Sequence, residues 1–332
     1  MKHLSNKKGA AALATAAVLA FALLFTGCSQ TTDGSFGGGS GSGGGTGGSA
    51  PQAPLVSGGA SLILSPNELT ITVTVKTADN SPVTVEGCTE TKLTINNWET
   101  KLHAKGTTVI LKGNIIELKC GIAADGNSNK LLALNVQGLS TLQELDCSSN
   151  RLTALDVQGC TALKKLHCYN NQLTSLNVQG LHDLQNLWCR VNRLTELNVQ
   201  DLSALQELLC HGNRLTSLNV QGLSKLDTLR CRVNRLTELN VQGCIALRSL
   251  DCTGNRLNTQ AFIKIFNDLS HLPQILHSPV GLYYLYTEKT GVPEGNLKDF
   301  SASAELKAAF DNAKANRWAM YKYDASGNTV KL

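Results

Sequence analysis

One interval governs this chain. Cys147, Cys168, Cys189, Cys210, Cys231 and Cys252 recur every 21 residues without exception. Asn150, Asn171, Asn192, Asn213, Asn234 and Asn255 follow each cysteine by three, and Leu145, Leu166, Leu187, Leu208, Leu229 and Leu250 precede each by two. The unit reads L-x-x-L-x-C-x-x-N-x-L-T-x-L-x-V-Q-G-x-x-x. An earlier copy starts at Ile115-Ile116-Glu117-Leu118-Lys119-Cys120. It carries six extra residues before Asn129, because Cys120 and Cys147 are 27 apart, and it resumes at Leu131, Leu134, Val136 and Gly138. A unit this short cannot bury an apolar face by itself. Copies must stack, so a fixed period in the low twenties predicts a solenoid with one coil per unit.

Elementary chemistry assigns each repeated residue a place. In L-x-C the Leu and Cys alternate with other residues, so both point inward from a short strand. Stacked coils put like on like about 4.8 Å apart, which makes parallel strands in register. Cys is a small apolar side chain that suits a tight inner turn. The Asn amide offers two donors and an acceptor to backbone groups that a turn leaves unpaired. The Gly of V-Q-G permits the return bend; Asp201 replaces it once and is expected to weaken that corner.

Eleven cysteines in a chain with an export signal would ordinarily mean disulfides. The spacing argues for buried free thiols instead. Neighbouring layers lie within disulfide distance, but parallel in-register side chains point the same way rather than at each other. There is no C-x-x-C, and a line of thiols is not a tetrahedron, so no metal and no cofactor are expected. Cys120 joins the ladder; Cys160 and Cys244 fall in the variable segment after Gly, outside the ladder, where exposure is open to them. Cys88 lies outside the array.

The core L-x-x-L-x-C-x-x-N-x-L resembles the leucine-rich repeat, with Cys where other subfamilies carry Leu. The fuller form, continued by L-T-x-L-x-V, resembles the treponemal-type leucine-rich repeat surface lipoproteins. The resemblance covers residues 115–258 and extends to the tail around Tyr283, Leu285 and Tyr286. It implies an α/β solenoid of about seven mostly 21-residue repeats with a parallel concave sheet. It also implies adhesion, to host cells and matrix or to other bacteria.

The flanks fit that frame. Residues 1–27 read as an export signal: Lys2, Lys7 and Lys8, an apolar run from Ala10 to Phe25, then Thr26-Gly27-Cys28. Small residues before Cys28 resemble the lipobox of bacterial lipoproteins, with Phe25 where that box usually has Leu. The resemblance implies lipidation at Cys28 and anchoring in the bacterial envelope, at the outer membrane or cell surface. Residues 28–59 are dominated by Gly and Ser and form a flexible tether. Gly43, Gly45 and Gly48 satisfy G-x-G-x-x-G, but no strand precedes and no helix follows, so the match is low-complexity noise. The formal charge of +5 falls to +2 without the three signal lysines, too mild for a nucleic-acid partner.

A solenoid must cover its end layers. Residues 60–114 read as a β-rich N-terminal cap, with strands predicted where Leu69, Ile71, Val73 and Val75 alternate with polar residues, and at Pro82–Val85, Lys92–Ile95 and Thr108–Leu111. After Leu257 the period ends, and residues 259–332 read as an α/β C-terminal cap. Phe262, Ile263, Ile265, Phe266 and Leu269 predict an amphipathic helix. A strand at Leu282–Tyr286 follows. A second helix holds Leu306, Phe310 and Ala313, with Ser303 or Ser301 as N-cap. Strands at Trp318–Tyr323 and Thr329–Leu332 are joined by a turn at Ala325-Ser326-Gly327-Asn328.

The residues beside each ladder cysteine face the concave sheet surface and differ from copy to copy. The middle copies place His167, Tyr169, Trp188, Arg190, Leu209, His211, Arg230 and Arg232 there. Solvated strand faces usually carry Lys, Glu, Thr or Ser. Aromatic, His and Arg side chains are the types enriched at protein interfaces. The cluster is therefore a candidate binding patch for a protein or glycan ligand; drift, with Trp188 stacked on Arg190 or Arg230, is the other reading. Seven strands give a face on the order of 400 Å², about half of a standard footprint per partner, so avidity of many anchored copies would matter.

A second column, Lys130, Arg151, Gln172, Arg193, Arg214, Arg235 and Arg256, makes a basic ridge along one edge, with Glu196 and Glu238 placed to relieve Arg193 and Arg235. It is either a solvated product of duplication or a contact for acidic glycan or anionic lipid. No H-E-x-x-H, nucleophile elbow or P-loop occurs. His167 and His211 stand two repeats and about 10 Å apart, too far to share a metal. The expectation is a binding protein and not an enzyme, touching the membrane only through its lipid. A periplasm-facing scaffold lipoprotein is the other function these features allow.

Overall fold

The computed structural model describes residues 51–94, 99–121, 126, 130–270 and 281–332, all within the unit Ser49–Leu332. The signal segment, Cys28, most of the tether, Ile95 and Asn129 lie outside the described residues.

Alternation builds the first unit. Gly59–Ile63 (β1), Thr70–Thr77 (β2), Val83–Glu86 (β3), Lys92–Leu93 (β4), Thr100–His103 (β5) and Thr108–Lys112 (β6) are its strands. In β2 every second residue, from Ile71 through Val73 and Val75 to Thr77, is buried. β1 shows no such alternation, because it is buried on both faces, and so carries no period-2 signal.

The array follows, with Ile115–Lys119 (β7) and Ala133–Asn135 (β8) in the first coil. Each later coil puts a three-residue strand before its cysteine: Glu144–Asp146 (β9), Lys165–His167 (β10), Asn186–Trp188 (β11) and Glu207–Leu209 (β12). Ser217–Asn219 (β13), Thr228–Arg230 (β14), Glu238–Asn240 (β15) and Ser249–Asp251 (β16) complete it. The order β7-β9-β10-β11-β12-β14-β16 is parallel, and Leu118, Leu145, Leu166, Leu187, Leu208, Leu229 and Leu250 pair in register. β13 and β15 pair in parallel on the return side. The cap continues both sides: β2 pairs antiparallel with β7, and β1 with β8.

Cys120, Cys147, Cys168, Cys189, Cys210, Cys231 and Cys252 are buried thiols in no disulfide. Burial pushes their thiols up, Cys189 to about 12, so they are protonated packing groups rather than nucleophiles. Cys160 and Cys244, expected outside the packed ladder, are buried as well. They fill the layer that Leu181, Leu202 and Leu223 fill in other coils, and their Sγ atoms donate to the carbonyls of Val136 (3.2 Å) and Val220 (3.0 Å). The variable segment is variable on its outer residues only.

The asparagines form a continuous staple. Asn192 Oδ1 accepts from the Leu173 amide at 3.0 Å, while Nδ2 donates to the carbonyls of Cys168 (3.0 Å) and Cys189 (3.1 Å). Asn150, Asn171, Asn213, Asn234 and Asn255 repeat this pattern, each joining its own coil to the preceding one. The staple outlasts the period. Asn296, 41 residues beyond Asn255, accepts from the Leu257 amide at 2.8 Å and donates to the carbonyls of Cys252 and Leu285. The corner at Asp201 is kept without a left-handed residue: Asp201 is absent from the positive-φ set, and its carbonyl accepts from the Ser203 amide as Gly138 and Gly222 do for theirs.

The C-terminal unit closes the stack. Thr259–Ser270 (α1) and Ala304–Ala315 (α2) pack together, with Phe262, Phe266, Phe300 and Phe310 in edge and stacked contacts. Ser303 is the N-cap of α2, accepting from the Leu306 amide. Gly281–Thr287 (β17) adds to β16 in parallel and Trp318–Tyr323 (β18) adds to β17, while Thr329–Lys331 (β19) turns back antiparallel.

Candidate protein-binding surface

In-register pairing turns the residues before each cysteine into one row. Lys119, Asp146, His167, Trp188, Leu209, Arg230 and Asp251 stand side by side across seven strands. The row continues into the C-terminal unit as Tyr284 and Tyr321, which pair in register after Asp251. Sequence reasoning stopped at the last period and missed these tyrosines. The signal available was the alternation at the start of LYYLY, where Leu282 and Tyr284 face outward and Tyr283 and Leu285 are buried, before Tyr286, also buried, breaks it.

The N-terminal half of the surface neutralises itself. Lys119 Nζ lies 3.0 Å from both Glu117 and Glu144, and Lys76 meets Glu117 at 2.6 Å. Burial opposes ionisation of Asp146, yet the His167 ring 3.8 Å away and hydrogen bonds from the Ser148 amide and hydroxyl hold its carboxyl below the ordinary range.

The middle is aromatic. His167 stacks on Trp188 with centroids 4.0 Å apart and planes 10° apart. Trp188 Nε1 donates to Glu207 at 2.7 Å, which orients the indole. Arg190 lies over the Tyr169 ring at 3.9 Å. The stacking partner of Trp188 is thus His167 and not an arginine; the arginine is on the neighbouring tyrosine. In-register stacking accounts for this, because adjacent members of a row are closest and Trp188 pairs with His167 across β10 and β11. Leu209, expected as an accessible member of the patch, is only 7% exposed. Trp188 and Arg230, its larger in-register neighbours, flank it on either side.

The C-terminal half is basic, then aromatic again. His211 has a buried Nδ1 with no hydrogen-bond partner among the described residues. Burial, then the charges of Arg232, Arg190 and Arg230, lower its pKa to about 4, so it is neutral at pH 7. Arg232 Nε stands 3.9 Å from Asp251, a carboxyl that is 5% exposed and whose pKa burial raises. Beyond it Tyr284 stacks on Tyr323 (5.1 Å, 10°) and on Tyr321 (5.5 Å, 27°).

The edge column is less relieved than its sequence suggested. Among the described residues, the arginine ion pairs are Arg232 with Asp251 and Arg248 with Asp227. Glu196 and Glu238 make none with Arg193 or Arg235; Lys130 alone of the column is paired, with Glu68 at 2.9 Å. No three His, Cys, Asp or Glu side chains among the described residues are placed to hold a metal ion. No helix among them is long and apolar enough to cross a membrane.

Residues 140–181 match the family description "Leucine Rich repeats (2 copies)". Three solved structures align over part of the chain. The functional domain of InlJ from Listeria monocytogenes, described as including a cysteine ladder, is 29% identical over 52% of this chain and 40% of its own, with TM-score 0.38. A leucine-rich repeat protein of Leptospira interrogans is 24% identical over 55% and 43%, with TM-score 0.42. YopM, a leucine-rich effector of Yersinia pestis, is 22% identical over 47% and 48%, with TM-score 0.31. The chain therefore spans less than half the length of each of these structures. The comparison with curated proteins found no match. The repeat match over residues 140–181 and the stacked, in-register coils that continue on either side of it give one conclusion: the array folds as a leucine-rich repeat solenoid.

Proposed function

We propose that this chain is a lipid-anchored surface protein that holds its solenoid away from the membrane on a Gly/Ser tether and binds a partner protein through the concave face, in adhesion to host cells or matrix or to other bacteria. The observation that carries the binding reading is the continuous row His167, Trp188, Leu209, Arg230, Asp251, Tyr284, Tyr321, with Tyr169, Arg190, Arg232 and Tyr323 beside it. Trp, Tyr and Arg dominate interface hot spots. Adding the C-terminal tyrosines lengthens the strip from seven to nine strands, about 38 Å at the strand spacing, which supports a fuller footprint than the repeats alone. The lipid anchor rests on the segment ending in Cys28, and the expectation that the chain is not an enzyme rests on the lack of a catalytic motif in the sequence.

Replacing Trp188, Arg190 and Arg232 together by Ala should abolish binding to whole cells or matrix while circular dichroism stays unchanged. Persistent binding would move the site elsewhere. Protease treatment of intact cells should release the domain by cutting the tether; an uncut tether supports a periplasm-facing scaffold instead.

A further inference from the structure

Charge is distributed unevenly along the concave face. Lys119 and Lys165 are matched by Glu117 and Glu144, so the first coils need nothing from outside. In the next coils Arg190 comes from the coil of β11, while Arg230 and Arg232 come from the end of β14 and the residue after Cys231; bonds from Val191 N to the His211 carbonyl (2.8 Å) and from Gly212 N to the Arg232 carbonyl (3.0 Å) set Arg190, His211 and Arg232 side by side in successive coils. All three act electrostatically on the His211 imidazole between them. Against them, the one carboxyl within ion-pair reach among the described residues is Asp251, which is buried, already accepts from Thr253 (3.2 Å from N, 2.8 Å from Oγ1) and reaches only Arg232, at 3.9 Å; Glu207, on the coil of His211, is held by Trp188 Nε1 and Asn186 Nδ2. Arg190 rests on a tyrosine face, and Arg230 has no ion-pair partner among the described residues. The imidazole keeps an unsatisfied buried nitrogen.

Like charges gathered beside a half-buried ring are unfavourable in the free protein, and an incoming anion relieves all of them together. We propose that Arg190, Arg230, Arg232 and His211 form an anion-recognising centre, and that its occupant is the carboxylate of an Asp or Glu in an acidic segment of the partner protein. This rests on the reading of the concave face as a protein-binding surface. Charge complementarity sets the sign of the ligand. The aromatic groups on both sides, His167/Trp188 and Tyr284/Tyr321/Tyr323, fit apolar anchors flanking an acidic residue in a peptide, rather than the uniform charge repeat of an acidic polysaccharide. Guanidinium forks hold carboxylates with fixed geometry, which three lysines would not do.

The imidazole reports occupancy. Bound carboxylate offsets the arginine charges, so the pKa of His211 rises from about 4 on binding, and affinity increases as pH falls through the raised value until the ligand carboxylate itself protonates. The groups acting on this ring are Arg190, Arg230 and Arg232, with Asp251 behind Arg232.

The full chain is titrated with oligoglutamate, oligoglutamine, sodium sulfate and heparin while the His211 ring is followed by NMR. Oligoglutamate should raise the His211 pKa, and oligoglutamine should not. Arg230→Gln and Arg232→Gln should each weaken oligoglutamate binding about tenfold, the cost of a lost charge-assisted bond, while Arg256→Gln on the outer edge leaves it within twofold. Binding should weaken as salt rises. The wild-type ring shift needs no variant to fold and stands as evidence by itself. An unmoved His211 at saturating oligoglutamate overturns the proposal, as does an equal loss from Arg256→Gln. A response to sulfate or heparin without one to oligoglutamate overturns the acidic protein segment as occupant. If a partner is still lost on Trp188→Ala but ignores Arg230→Gln, the concave binding reading survives and this inference does not.

Discussion

An asparagine side chain carries more of the solenoid than its size suggests. Each ladder Asn ties at least three backbone groups from two coils, and the cysteine carbonyls between them are each shared by two successive asparagines. Asn192→Ala should cost about 2 kcal/mol, because it strands the buried Leu173 amide and takes one of two asparagine donors from the carbonyls of Cys168 and Cys189; urea unfolding measures it. His211 gives a prediction of opposite character. Its folded pKa of about 4 lies below the ordinary 6.5. Above 6.5 neither state takes a proton. Between 6.5 and about 4 the unfolded chain gains one that the folded chain refuses, so stability falls as pH drops, and the loss levels off below about 4. His211→Gln should flatten that part of the pH–stability curve, as chemical denaturation across this range would show. At this scale the sequence was most legible where a residue recurs: the inward Leu, Cys and Asn are readable because seven coils repeat them. It was least legible where neighbours decide the outcome, as for Leu209 shaded by Trp188 and Arg230, or Trp188 choosing His167 over an arginine.

In the six coils from Cys147 to Cys252, the residue two after the cysteine turns in the left-handed region. Ser149, Asn170, Val191, Gly212, Val233 and Gly254 occupy it, with φ of 53°, 54°, 55°, 68°, 52° and 67°. Gly and Asn adopt this conformation readily, and β-branched valine does not. Val191 is also 44% exposed, so it gains little from burial in return. Val191→Asn should therefore stabilise the domain by about 1 kcal/mol, the lower end of the cost of such a residue, seen as a raised thermal midpoint. This strain was not readable from the repeat, since the column is one of its variable positions. The Asn296 rung was likewise hidden: its spacing from Asn255 breaks the period, and only the hydrogen-bonding pattern identifies it as the next member. The C-terminal helices and strands were legible from their own apolar patterns, but not that β17 and β18 would carry the concave surface onward as a tyrosine stack.

The unit Ser49–Leu332 is a stack with a dry seam of sulfur and leucine, closed at both ends by segments that continue its sheets. Ten described cysteines are buried outside any disulfide, with thiols that burial holds in the protonated form. A thiol reagent should leave them untouched in the native state and label them all after denaturation; labelling of a ladder cysteine without denaturant would contradict the packing. The even spacing that aligns these groups in the fold has another result once the fold opens. In the loosened chain the thiols from Cys147 to Cys252 of the ladder lie at identical 21-residue intervals, so each interior one has two equally near mates and oxidation would cross-link them without a unique pairing. Heating should therefore be reversible with a reductant present and irreversible with an oxidant. Safety from oxygen, for this chain, is a property of staying shut rather than of having its sulfurs already spoken for.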